Sequence, residues 1–471
     1  MKKFNYSGMS FLELIMIAFV SVGATFLFAP IFKQYGTFWL CFGLWLTCFV
    51  FIHLCVLASR CLIMPEFICF VACINWLLAP ALSYIYPPNF SLYAMSVSPE
   101  DYFSYVTPAV IALWIGIHTP LRLQSRGSDS TFENLKLSRH DRMIMDCFII
   151  VGFFTQLIRS YLPGNQSGLG FLYYVIEELR FVGAFSYLFT RTKGWVLRIS
   201  LIYILFFIQL SAGGVFYEFI LWAGYLFISI AYIRRWRWRL TIYLVILIIL
   251  VTVFNSAKVE YRSQLSSGQL KWHQRIEMLG NIYISQFKKR IERSDLGDDL
   301  VRWNQGWIIS RVIYVVPREE PFALGKTIQD AIVAAIYPRI FKSDKVEIGS
   351  QSFFAQYTHL NLSSGTSMAL SSVGEMYANF GRLGGTIAMY LYGFLIGFIF
   401  SRFARLAKKN IMWWAWAPFV MLTTLEAEWN VADVLNHVTK SLLVMLVLLF
   451  FIPAMRSSFF KRPAKLENEH S

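Results

Sequence analysis

Apolar runs long enough to cross a bilayer recur along this chain, separated over most of its length by short polar breaks. Continuous hydrophobicity of this length reads as membrane helix rather than as the one-sided stripe of a surface helix. Spans are predicted at 11–30, 36–58, 62–84, 103–121, 143–161, 169–189, 198–213, 214–233, 240–256, 383–401, 411–429 and 437–454. The pair between 198 and 233 is short, and two crossings there need a tight hairpin at Ser211-Ala212-Gly213-Gly214. One polar stretch, 257–381, interrupts the pattern and is large enough to fold outside the bilayer. The expected fold is all-α, a polytopic integral membrane protein of about 12 transmembrane helices with one large loop. It divides into an N-terminal bundle (1–256), the loop (257–381) and C-terminal helices with a tail (382–471).

Charge between the spans sets the orientation. Short loops rich in Lys and Arg stay in the cytoplasm. The basic segments are Lys2-Lys3, Arg60, the 122–142 loop, Arg191 to Arg198, Arg234 to Arg239, Arg402 to Lys409, and the tail with Arg456, Lys461 and Arg462. They share one side only if 198–233 crosses twice. That places both termini in the cytoplasm and the large loop on the extracytoplasmic side of a multi-pass protein. The loops 85–102 and 162–168 contain no Lys or Arg, which fits the outer side. Composition agrees, at 56% hydrophobic and 17% aromatic residues. The net charge of +15 lies largely in the cytoplasmic loops, so it calls for anionic lipid and not for nucleic acid. Seven cysteines lie in or beside early spans without Cys-x-x-Cys spacing, which leaves zinc and thioredoxin-like readings unsupported.

The 257–381 loop is too aromatic for a disordered linker, with Trp272, Trp303, Trp307, Phe322, Tyr337, Phe353, Phe354 and Tyr357. Segments 272–291 and 299–316 carry helical periodicity and read as amphipathic helices at the outer leaflet. Basic residues recur through it, among them Arg262, Arg302, Arg311, Arg339 and Lys345, and suit an anionic diphosphate. Glu375 stands where the polar approach enters the tenth span, and an acid there needs a partner or a task. It is the first candidate for a general base, with His359 the second. In the sixth span Glu177 and Arg180 are spaced to pair on one helix face, and Arg180 could reach phosphate. Gly374 and Gly381, seven apart, would share a smooth helix face. Glu426, Glu428, Asp433 and His437 would form a polar rim at the last outer turn.

Two motifs in this loop stand in order. The first is Tyr337-Pro338-Arg339-Ile340-Phe341-Lys342-Ser343-Asp344-Lys345; the second is Gly374-Glu375-Met376-Tyr377-Ala378-Asn379-Phe380-Gly381. Together they resemble the late loop of bacterial oligosaccharide repeat-unit polymerases, the Wzy-type O-antigen and exopolysaccharide polymerases. Val346 stands where a Pro is common in that family. The resemblance implies a GT-C-like architecture and a glycosyltransferase that polymerises undecaprenyl-diphosphate-linked oligosaccharide units at the periplasmic face. It implies Arg339 and Glu375 as catalytic residues. The same resemblance implies a bacterial inner-membrane location. By charge, Arg180, Arg262, Arg302 and Arg311 are expected to bind substrate, together with Lys345, Tyr377 and Asn379 of the matched motifs. A chain-length regulator and a repeat-unit flippase would be partners. The first outer loop, about Pro30 to Gly36, holds no acid, so a hard divalent cation finds few oxygen ligands and neither metal nor cofactor is expected. An O-antigen ligase shares the topology and basic chemistry. A polysaccharide transporter or flippase is the alternative of a different class.

Overall fold

The computed structural model describes residues 11–58, 60–124, 137–159, 170–213, 217–236, 301–336, 351–362 and 368–460, with isolated positions between 239 and 300. Arg262, Arg339 and Lys345, the 240–256 span and most of 272–291 lie outside the described residues. The described chain is helical throughout, with no strand. Its helices are α1 (Phe11–Thr25), α2 (Ala29–Tyr35), α3 (Phe38–Leu57), α4 (Met64–Cys73), α5 (Ala79–Ile85), α6 (Pro99–Gln124), α7 (Arg139–Ile158), α8 (Gly170–Phe189), α9 (Trp195–Gly213) and α10 (Tyr217–Arg234). After the loop's first part come α11 (Gly306–Val315), α12 (Lys326–Ile336), α13 (Gln351–Thr358), α14 (Ser371–Ala407), α15 (Trp416–Met421), α16 (Val431–Phe451) and α17 (Pro453–Phe460).

Six segments among the described residues are long and apolar enough to cross a membrane: Phe11–Tyr35, Phe38–Leu57, Met64–Ile85, Pro99–Arg122, Ser371–Ala407 and Val431–Phe451. Large apolar side chains on these helices face outward, such as Phe19 at 79%, Leu383 at 78% and Phe450 at 75% exposure. That is the surface of a membrane protein, whose solvent is lipid. The six overlap predicted spans. The predicted span 411–429 takes another form. Residues 411–425 make two 3-10 turns flanking α15 and are almost entirely buried. The segment carries the chain from the far end of α14 back to Val431 beside Glu375, and it does so inside the protein, with Trp413, Trp414 and Trp416 buried. Across 198–233, the Tyr203 hydroxyl donates to the Trp222 carbonyl (2.6 Å) and Phe207 meets Phe219 (5.5 Å). These contacts make α9 and α10 an antiparallel pair.

Local chemistry explains how the bundle closes. Helix 64–85 contains a π-helical turn at Ile74–Leu78, followed by Pro80. Proline has no N–H to offer the carbonyl one turn back. The Trp76 carbonyl instead accepts the Tyr102 hydroxyl from α6 (2.9 Å), and the Asn75 carbonyl accepts the Gln305 amide from the loop (3.2 Å). Helices α6 and α14 run side by side in the same direction, from Asp101 beside Arg382 to Ile117 beside Gly397. A Cβ at Gly116 would fall on the Tyr390 carbonyl, and one at Gly397 on the Ile117 carbonyl. Small residues here let backbones meet where lipid supplies no hydrophobic drive.

Candidate functional site

The site begins with a break in α14. Gly381 has φ 69° and ψ −163°, a region only glycine occupies readily. Helix geometry therefore stops at Phe380 and restarts after Gly381. The expectation that Gly374 and Gly381 share one helix face fails for this reason. The break frees the carbonyls of Ala378 and Asn379 from their usual partners one turn on. The loop fills both, with the Ala323 amide donating to Ala378 (2.9 Å) and the Leu324 amide to Asn379 (3.1 Å). Phe322 packs over Gly381 and near Tyr377.

Glu375 sits one turn inside the first segment and is completely buried. One carboxylate oxygen accepts the Thr327 hydroxyl at the start of α12 (2.9 Å); the other accepts the Val431 amide at the start of α16 (2.8 Å). A carboxylate at a helix start is favoured by the dipole and by its unpaired amides. Asn379, also fully buried, donates to Thr327 Oγ1 (2.6 Å) and to the Glu375 carbonyl (2.8 Å), and accepts the Gly325 amide (3.1 Å). Asn430 accepts the Leu370 amide (2.9 Å). Glu375 and Asn379 thus join α12, α14 and α16. Tyr377 is buried edge-on to Tyr105 (4.9 Å between ring centres).

A polar cluster lies on the outer surface of the same assembly. His359 follows α13 with φ 52°, the left-handed cap position where glycine is the usual residue. Its Nδ1 lies 2.7 Å from Glu319 and its Nε2 3.7 Å from Glu320. Arg311 donates from Nε to the Thr358 carbonyl (2.9 Å). The guanidinium groups of Arg311 and Arg318 lie 5.5 Å and 5.1 Å from the Tyr314 ring centre. Tyr357 lies between this cluster and the buried network. Burial, then the Glu320 and Glu375 carboxylates, hold its hydroxyl above the ordinary tyrosine range. Arg302 is exposed. At the rim Arg382 bridges Asp101 (2.9 Å) and Ser104 (2.9 Å).

Arg180 is elsewhere, inside the α7–α8 pair, and only 1% exposed. Phe153, Phe181 and Phe206 stand 4.8–5.6 Å from its guanidinium, and Nη1 donates to Gln156. The expected pairing with Glu177 does not form. Glu177 accepts Arg159 from α7 (3.3 Å), while the carboxylate beside Arg180 is Glu178, at 3.9 Å. Tyr174, under Arg159, reaches edge-on toward His437 of α16 (6.3 Å). His437 is buried with Nε2 on the Phe419 carbonyl (3.1 Å), and Glu428 accepts the Gln305 side chain (3.3 Å).

The structure brings Glu375, Tyr377, Asn379, Arg311 and His359 into one outer assembly and leaves Arg180 in another part of the bundle. Thr327, Arg318, Glu319 and Glu320 complete that assembly. The Pro317-Arg318-Glu319-Glu320 run was a visible signal for the last three; Thr327 offered none. Comparison with protein-family models, with curated proteins and with solved structures finds no match.

Proposed function

We propose that this chain is a membrane glycosyltransferase that joins oligosaccharide repeat units carried on a polyprenyl diphosphate. Its loop face is periplasmic and both termini are cytoplasmic. The observation that carries the reading is the outer cluster of His359, Glu319, Glu320, Arg311 and Arg318. Such a reaction deprotonates an attacking sugar hydroxyl and releases a diphosphate. An imidazole oriented by a carboxylate is suited to the first task. Two guanidinium groups beside one ring are suited to the second, because charge grows on the leaving oxygen in the transition state. In this reading His359 takes the hydroxyl proton and Glu319 holds the imidazole. Arg311 and Arg318 receive the diphosphate, with Arg339 and Lys345 of the same loop as further cationic candidates. Glu375, with both oxygens engaged in the interior, is the positioning residue that fixes the loop on α14 and α16. A flippase that delivers units and a regulator of chain length would be its partners.

His359→Gln keeps a polar side chain and removes the base. It should lower polymerisation by about 10²–10⁴-fold, with substrate binding retained. Near-normal polymerisation by the folded variant would remove the cluster from catalysis.

A second reading, a proton-coupled transporter of lipid-linked saccharide, is favoured by the Glu177, Glu178, Arg159 and Arg180 group inside the bundle. Buried ionisable residues of this kind mark proton routes in transporters. Proton flux coupled to movement of an unchanged saccharide would select it.

A further inference from the structure

His53, Glu66 and His118 meet at the end of the bundle away from the outer cluster. They come from α3, α4 and α6, and all are buried, with exposures of 4%, 0% and 8%. Along α6, His118 lies 17 residues beyond Asp101, which is about 25 Å of helix. The three offer one ligand atom each, all within 4.8 Å of one another. His118 Nε2 stands 3.3 Å from Glu66 Oε1. Two ligands at about 2.0–2.1 Å from one tetrahedral zinc ion are roughly 3.3 Å apart.

The hydrogen bonding defines what lies between them. His118 Nδ1 is 2.8 Å from the Trp114 carbonyl, which can only accept, so the Nδ1 proton points there. In neutral imidazole that leaves a lone pair on Nε2, facing a carboxylate oxygen. Two acceptors at this distance need a cation between them, either a proton or a metal ion. His53 Nδ1, also buried, has no hydrogen-bond partner among the described residues. A proton shared by His118 and Glu66 leaves His53 unexplained. A metal ion uses all three. An Nδ1–H held by a backbone carbonyl is also the arrangement that orients a metal-binding histidine.

The walls select the kind of ion. His53 stacks on Phe49 (5.8 Å, 13°), and Trp114 lies 4.7 Å from His118 and 6.0 Å from His53 between ring centres. The Arg122 guanidinium lies 6.0 Å from the Trp114 ring centre. Two imidazoles and one carboxylate disfavour magnesium or calcium, which bind through several anionic oxygens. They favour a transition ion bound by nitrogen.

We infer that His53, Glu66 and His118 form a zinc-type metal site that ties α3, α4 and α6 together, with a fourth position open to water. No spacing motif marks it, since its ligands are 13 and 52 residues apart on three helices. From the sequence no metal was expected, on the lack of acids in the first outer loop, and this site departs from that expectation. This site is independent of the outer cluster and of the glycosyltransferase reading.

The test uses the full-length protein in detergent, and its readout is metal content rather than activity. The protein should contain about one zinc ion per chain by elemental analysis. After stripping, it should take up equimolar cobalt with the visible absorption of a low-coordinate nitrogen–oxygen site. His53→Phe keeps the ring stacked on Phe49, and Glu66→Gln keeps the shape of the acid. Each should weaken cobalt uptake by at least roughly tenfold, in protein that still elutes as a folded species. Wild-type protein that binds neither zinc nor cobalt would overturn the inference and leave an imidazolium–carboxylate pair. Uptake equal in wild type and both variants would overturn it too, by placing the metal on the cysteines.

Discussion

Removing the Glu375 carboxylate would strand two buried donors, the Val431 amide and the Thr327 hydroxyl. An unsatisfied buried group costs about 1–3 kcal/mol. Glu375→Gln presents an amide N–H to one of the two donors, and Thr327→Val deprives both Glu375 and Asn379 of a partner. Each should lower stability by about 2 kcal/mol in detergent. The double variant should lose less than the sum, because the two share one hydrogen bond. A denaturation cycle on the four proteins measures this. Additive losses would contradict the network. A different outcome would return the base to Glu375: a variant of unchanged stability whose rate falls by about 10²–10⁴-fold. The two roles therefore separate on stability, not on activity alone.

Among the elements, the break in α14 decides how the loop attaches. Gly381→Ala places a Cβ about 3.2 Å from the Phe322 ring in a conformation that costs alanine on the order of 1–3 kcal/mol. Relief of that strain restores helix across residue 381 and withdraws the Ala378 and Asn379 carbonyls from the loop. The prediction is faster amide exchange at Ala323 and Leu324, with α6 unchanged. Equal protection in both proteins would contradict the docking scheme. Spans such as 36–58 and 62–84 were legible because uninterrupted apolar sequence has few other solutions. The fate of 411–429 was not, since apolar sequence looks alike whether lipid or protein covers it. The sequence marked Glu375 as an acid at the edge of a span and placed Gly381 on a smooth helix face. It did not show that one is sealed by Thr327 and that the other ends a helix, because both follow from contacts across distant segments. The same holds for Glu177, whose partner came from α7 and not from its own helix.

For the whole molecule, the relative direction of paired helices fits the predicted order of spans and is the same in either orientation. Helices α6 and α14 run parallel, as do predicted spans that both enter from outside. In a cysteine-free background, Gln356→Cys, on exposed α13, should react with an impermeant thiol reagent in intact spheroplasts. Arg139→Cys, exposed at the start of α7, should react only after lysis. The reverse pattern would invert the orientation and remove the outer cluster from the periplasm. Reconstitution tests the catalytic role of His359 without other proteins present. Purified protein in liposomes would be given a polyprenyl-diphosphate-linked repeat unit, and the products would be resolved by size. The account predicts a ladder of polymers with release of one polyprenyl diphosphate per linkage, lost by about 10²–10⁴-fold in His359→Gln. Folded protein that leaves the units unjoined, or carries them across the membrane unchanged with protons, would contradict it.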